Sequence, residues 1–222
     1  MKQLHFIDHH SDYTIKWATL DWEMEQAFAL RRKIFCEEQG IFDSDDRDKT
    51  DDHAQCLVAI ANHGGWHDQV VGTVRIHHEG DNVWWGSRLG VDPEFRTQVG
   101  LGAALIKLAV SSAHALGCEK FLAQVQKKNE RLFNRLRWES CFELEVRNRP
   151  HVMMEADLNN FPPIFHPNSG FVLKEKKMAF NGELAPSLLT LLPCVTPEKL
   201  NAELTQHTAA NHTYQNSDHH AA

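Results

Sequence analysis

The run Arg96-Thr97-Gln98-Val99-Gly100-Leu101-Gly102-Ala103 holds residue types that can grip a phosphate. Gly100 and Gly102 carry no Cβ, so the backbone there can approach a ligand closely. Leu101, Leu105, Leu108 and Leu116 follow at helical spacing, which predicts an amphipathic helix closing near Gly117. The start of such a helix exposes unpaired N–H groups and the positive end of its dipole. A strand, a glycine turn and a helix N-terminus together make a phosphate cradle. Other residues could do chemistry beside it. Glu37 and Glu38 end an earlier helix and could attract a cation or relay a proton, or be a solvated helix end. Arg88 could bind an anion or pair with an aspartate of the loop at 43–52. His151 titrates near neutrality and could be an acid or base, or a core-edge histidine with one hydrogen bond.

The elements that must position these residues read as follows. Residues 13–18 form a first strand, and 22–39 form a helix capped by Asp21 and ended by Gly40. The acidic loop IFDSDDRDKTDDH comes next, then a hairpin of strands 55–62 and 69–78. In the strand 83–91, alternation puts Trp85, Ser87, Leu89 and Val91 on one face and Trp84, Arg88 and Asp92 on the other. Gly86 and Gly90 suggest a bulge in that strand, or a ligand lying close to it. The helix that begins at the glycine loop connects this strand to 120–126, so the pair should be parallel. A short helix at 129–136 and strands at 140–147 and 151–158 complete the order β, α, β, β, β, α, β, α, β, β. The fold class is α/β, a mixed sheet of six to seven strands with helices on both faces. We divide the chain into a domain at 1–160, a Pro-containing extension at 161–205 and a disordered tail at 206–222.

Composition narrows the function classes. The 222 residues are 42% hydrophobic and 24% charged, as in a soluble globular protein. A net charge of -7 argues against nucleic acid as a partner. No apolar run reaches membrane-span length, and the start lacks a signal-peptide layout, so a cytoplasmic location without membrane partners is expected. Five scattered cysteines suit reduced, buried thiols; Cys36 as a nucleophile has no histidine tied to it by pattern. The loop at 43–52 lacks the glycine and terminal Glu of an EF-hand, and no metal is expected.

The order of elements and the glycine loop resemble the GNAT superfamily of N-acetyltransferases over residues 12–158. Arg96 to Ala103 resembles that family's R/Q-x-x-G-x-G/A loop with one extra residue before Gly100. LRRKIFCEEQGIFDSDDRDKTDDHA, VQKKNERLFNRLRWE and RPHVMMEADL resemble further GNAT blocks, in particular those of a subgroup encoded beside nitrilase gene clusters. The resemblance implies a sheet splayed between its fourth and fifth strands, with acetyl-CoA as co-substrate and a small-molecule amine as acceptor. It implies that Arg96, Gln98, Val99, Gly100, Leu101, Gly102 and Ala103 hold the pyrophosphate. Leu89, Gly90 and Val91 would offer backbone donors to the reacting oxygen, and Asn129 would hold the coenzyme from the other side of the splay. Phe133 stands where the family's general-acid tyrosine is expected, and a phenyl ring donates no proton. GNAT relatives are often dimers, so a homodimer is among the expected assemblies.

Transfer to an amine needs a neutral attacking nitrogen, donors for the oxyanion and a leaving thiolate. His151, Glu38 and Arg88 are the catalytic candidates, with direct attack on acyl-CoA and no acyl-enzyme. Two other readings compete. An acyl-homoserine-lactone-synthase-like transferase shares the fold and resembles the chain at SRLGV, although such enzymes lack the glycine loop at 100–102. A coenzyme A-binding regulatory subunit without catalysis would accommodate Phe133 and the longer loop.

Overall fold

The computed structural model describes His10, residues 12–96 and residues 100–174. The calls on Gln98, Val99, the segment 175–205 and the tail 206–222 lie outside the described residues. One eight-stranded sheet organises the described chain in the order β6-β7-β5-β4-β3-β2-β1-β8. Its strands are β1 Asp12–Trp17, β2 Gln55–His63, β3 Trp66–Gly80, β4 Val83–Val91, β5 Lys120–Gln126, β6 Trp138–Val146, β7 Arg149–Ala156 and β8 Phe171–Lys174. Neighbours run antiparallel except β4 and β5, which are parallel. That exception follows from the helical crossover α2, Leu101–Ala115, between them.

Two apolar clusters hold helices to opposite faces. On one face α2 packs Leu101, Leu105 and Leu108 onto Leu57, Val71, Val74 and Ile76. Each fully buried leucine contributes roughly 1.5–3 kcal/mol relative to exposure. Leu116, expected on this stripe, is exposed because the helix has already ended. The short helix α3, Glu130–Arg135, adds Phe133 to the same cluster. On the other face α1, Asp21–Arg31, packs Ala27 and Leu30 onto Cys56, Val58 and Ile60. Asp21 lies inside the first turn rather than at its cap; Glu23 instead turns back and accepts from the N–H groups of Thr19 and Leu20.

The expected helix at 22–39 is two segments. After Arg31 the chain widens into a π-helix, Arg32–Glu38, which ends at Gly40 with φ 57°. Such widened turns are rare in ordinary helices and recur at functional sites. This one brings Ile34 and Phe35 down onto Gly90 of β4, where an added Cβ would lie 2.8 Å from Ile34 Cδ1. Gly86 meets Phe121 in the same way on the other face, at 3.0 Å.

The sheet also runs past the boundary drawn at residue 160. Phe161 is buried in the main cluster, His114 Nδ1 and the Phe161 carbonyl lie 2.7 Å apart, and Trp17 N–H donates to the Pro167 carbonyl at 2.9 Å. Phe171–Lys174 then pairs with β1 as an eighth strand, one more than the sequence suggests. Gly170 makes this docking possible: at φ 58° its missing Cβ would fall 1.8 Å from the Ile15 carbonyl oxygen. Among the described residues no helix is long and apolar enough to cross a membrane.

Candidate active site

Strands β4 and β5 pair only from Val83–Lys120 to Gly86–Ala123, although β4 continues to Val91 and β5 to Gln126. Beyond Gly86 the two strands part. The cause on the β4 side is a bulge. Thr73 faces Gly90 and Arg75 faces Ser87, so Arg88 and Leu89 share the single position opposite Val74. Arg88 takes φ 54°, a strained conformation for a non-glycine residue. The extra residue inverts the alternation expected along the strand. Leu89 and Val91 join Trp84 on the α2 face, while Trp85 and Ser87 stand opposite with Arg75, His77 and Glu79. The bulge lies between the two glycines rather than at either; they serve close packing.

A cavity of about 440 Å³ occupies the opening. Its walls include Ile106, Ala109 and Val110 on one side of the sheet and Phe35, Ile41 and Phe42 on the other, so it passes through the gap. Asp92 N–H donates to the Val71 carbonyl on β3, so strand alternation turns the N–H of Val91 toward the gap. Gly90, paired in register with Thr73, turns its own toward β3. At the far end of β4, Gly100 caps α2 at φ 73°. Ala104 N–H bonds the Gly100 carbonyl, leaving the N–H groups of Leu101, Gly102 and Ala103 as the first turn, which has no partner within the helix.

Three aspartates of the acidic loop are bound by three arginines. Asp46, fully buried, accepts from Arg31 Nε at 2.8 Å and Arg88 Nε at 2.7 Å. Asp51 takes both terminal nitrogens of Arg31, at 2.6 and 3.0 Å, and Asp48 accepts from Arg75 and Arg88. Burial alone would raise the Asp51 carboxyl, but the Arg31 hydrogen bond, a backbone donor and the charges of Arg31 and Arg75 hold it well below the usual range. Burial and the neighbouring Arg75 charge lower Arg88, against the pull of Asp46 and Asp48. Of the two readings of Arg88, the structure shows the ion pair with the loop.

A family profile decides what this arrangement is. Residues 16–136 match that of the Acetyltransferase (GNAT) family. The chain belongs to the GNAT family. No curated protein matches it in sequence. Solved structures share the fold. A Lactobacillus plantarum protein assigned as an N-acetyltransferase is 21% identical with TM-score 0.58, covering 65% of this chain and 97% of its own. An acyl-CoA N-acyltransferase from Pseudomonas aeruginosa is 20% identical with TM-score 0.54, covering 66% and 99%. The CoA-dependent acyl-homoserine lactone synthase BjaI is 18% identical with TM-score 0.55, covering 67% and 86%.

Of the candidate site residues, some border this opening, while Gly90, Val91, Arg96 and residues 100–103 are not part of its wall. Leu89, Asn129, Phe133 and His151 line the cavity, and Arg88 does so while held by the loop. Phe133 is buried and packs edge-on against Trp138 at 5.1 Å. His151 Nδ1 lies 2.9 Å from the Arg149 carbonyl, an acceptor only, so Nδ1 carries the hydrogen and Nε2 presents a lone pair. Arg96 and Glu38, assigned separate roles by sequence, are bonded to each other. Two guanidinium nitrogens reach the Glu38 oxygens at 2.7 and 2.5 Å, while Arg96 Nε donates to the Val91 carbonyl. That hydrogen bond from Arg96 lowers Glu38. Glu37 stays exposed. Burial, with Asp46 and Asp45 nearby, raises the Cys36 thiol and keeps it protonated.

Sequence reasoning missed His77. It lines the cavity, its Nδ1 is buried with no partner among the described residues, and burial followed by the Arg75 and His53 charges lowers its pKa. The only signal for it was its position on β3, two residues from Arg75.

Proposed function

We propose that this GNAT protein moves an acetyl or other short acyl group from acyl-CoA to the amine of a small molecule by direct attack. The observation that carries this reading is the gap between β4 and β5, bordered by α2 on one face and open to the opposite face. A cradle whose first-turn N–H groups have no partner within the helix, with room at Gly102, suits a pyrophosphate. Leu101, Gly102 and Ala103 would hold it, with Arg96 beside them, and Asn129 would border the coenzyme across the gap. The coenzyme supplies a thioester already activated for transfer.

The protein's own part is positioning and proton traffic. Val91 N–H turns a donor into the gap. His77 and His151 each bring an imidazole to the cavity, available to take the proton of an incoming ammonium. Phe133 leaves the departing thiolate without an acid at that position, which a good leaving group tolerates. A cytoplasmic setting, where acyl-CoA is used, goes with this reading. A longer acyl chain, as in acyl-homoserine-lactone-synthase-like transfer, is favoured by the apolar wall of Ile106, Ala109, Val110 and Trp138.

Isothermal titration of acetyl-CoA into wild type and Gly102→Trp tests the cradle. A Cβ at Gly102 would meet, among the described residues, only Val91 Cγ2, at 3.9 Å, so the first carbon of a side chain there makes no clash with them. Micromolar binding lost in the variant supports the reading; no binding to wild type overturns it. Thiol release in an amine panel then separates an enzyme from a coenzyme A-binding subunit.

A further inference from the structure

We infer that the acceptor amine carries a carboxylate, and that Arg147 recognises it. This rests on the acyl-transfer reading above and names the substrate class for the same cavity. The charged residues on the cavity wall are Arg75, Arg88, Arg147 and Glu79, with His77 and His151 beside them. Arg75 and Arg88 are neutralised by Asp48 and Asp46, and Glu79 accepts a hydrogen bond from Trp85 Nε1. No carboxylate pairs with Arg147 among the described residues; its one recorded contact is with the Phe42 ring, its guanidinium carbon 4.3 Å from the centroid. The aspartate-rich loop has its carboxylates at 46, 48 and 51 turned to arginines. What the cavity offers an acceptor is one guanidinium without a carboxylate among the described residues, Arg147, and one carboxylate, Glu79.

The local backbone supports a fixed placement. Arg147 and Asn148 form the two-residue turn between β6 and β7, with φ 51° and 58°. Such turns suit Asn, Asp and Gly, and an arginine there is held at a cost. Arg88 also has positive φ, and its guanidinium lies 4.6 Å from the same Phe42 ring. Two strained arginines thus converge on one aromatic wall, one neutralised and one free. A guanidinium fork presents two parallel N–H donors to a planar carboxylate. Carboxylate at Arg147 leaves the acceptor's amine to reach inward toward the gap.

The test measures thiol release with acetyl-CoA and a panel of α-amino acids, each beside its decarboxylated amine, with phosphoethanolamine as a phosphate-bearing arm. Arg147→Asn removes the guanidinium while relieving the positive φ, so misfolding does not explain a loss. The expected result is higher kcat/KM for the amino acids, and in Arg147→Asn a KM for them raised about tenfold or more. Acetyl-CoA affinity and turnover of the decarboxylated amines should not move. Preference for the decarboxylated amines or for phosphoethanolamine, or an unchanged KM in Arg147→Asn, overturns the inference and leaves acyl transfer standing. Binding of acetyl-CoA with turnover only of amines outside the panel also overturns it. Release of no thiol with any amine brings down the acyl-transfer reading itself.

Discussion

Two groups of arginines flank the cavity, and they answer to different physics. The inner group, Arg31, Arg75 and Arg88, is buried or nearly so and locked by Asp46, Asp48 and Asp51. The outer pair, Arg96 and Arg147, is exposed; one is held by an exposed glutamate and the other by none among the described residues. A buried guanidinium that loses its partner cannot turn to water, so the inner group is structural. An exposed one exchanges partners cheaply, so only the outer pair is available to ligands. Residue type did not separate these groups; burial does.

The sharpest way to break the comparison is Asp46→Ala. It leaves Arg31, 1% exposed, and Arg88, at the bulge, each with one carboxylate partner fewer. Breaking a buried pair from one side costs about 3–5 kcal/mol. Denaturant unfolding should show that loss; a change below about 1 kcal/mol would mean the cluster is as exchangeable as the rim.

His77 lies between the groups, beside Arg75 and inside the cavity, so it tests whether inner charges tune the chemistry. Its pKa is lowered, so it is neutral at pH 7, and the acid limb of kcat/KM should fall below the free-imidazole value of about 6.5. His77→Gln should lower kcat about a hundredfold and erase that limb. Retention of the limb would assign the proton to His151 instead.

The inner cluster also fixes the acid side of stability. Asp48 and Asp51 are depressed relative to the unfolded chain. Their contribution is therefore full above the unfolded carboxylate value of about 4, and is lost as pH falls toward the depressed folded values. Stability should be level from neutrality to about pH 5 and fall below about pH 4. Asp51→Asn should flatten that fall; an unchanged slope would place the acid sensitivity elsewhere.

What the chain let one read follows the same division. Alternating and helical stretches are local, and they located seven strands, α2 and the glycine at its start. The parallel β4–β5 pair followed from the helix between its members. Pairing of Arg88 with an aspartate of the acidic loop was one of two readings; that the aspartate is Asp46, 42 positions away, and that Arg31 and Arg75 share the loop with it, were not legible. The bulge was signalled by glycines but sits at Arg88, and one displaced residue moved Trp85 and Ser87 to the face opposite Leu89 and Val91. The four-residue β8 carries too little pattern to detect alone; it exists because Gly170 fits against Ile15. Of the candidate residues, Arg88, Leu89, Asn129, Phe133 and His151 do line the cavity, while the pairing of Glu38 with Arg96 and the exposure of His77 to the cavity were not legible.

The smallest effect concerns that outer pair. Glu38 and Arg96 are 35% and 40% exposed and joined by two hydrogen bonds, so Glu38→Gln should change unfolding stability by about 1 kcal/mol or less. Its effect on ligand should be comparable in size and opposite in sense. Freed from a carboxylate, Arg96 can turn to a phosphate, and one negative charge leaves the mouth of the cradle. Acetyl-CoA should then bind up to roughly fivefold more tightly in dilute buffer, with the gain fading in high salt. Arg96→Gln should weaken binding under the same conditions. If Glu38→Gln weakens it as well, the glutamate holds Arg96 in its binding pose, and the outer pair is as built-in as the inner cluster.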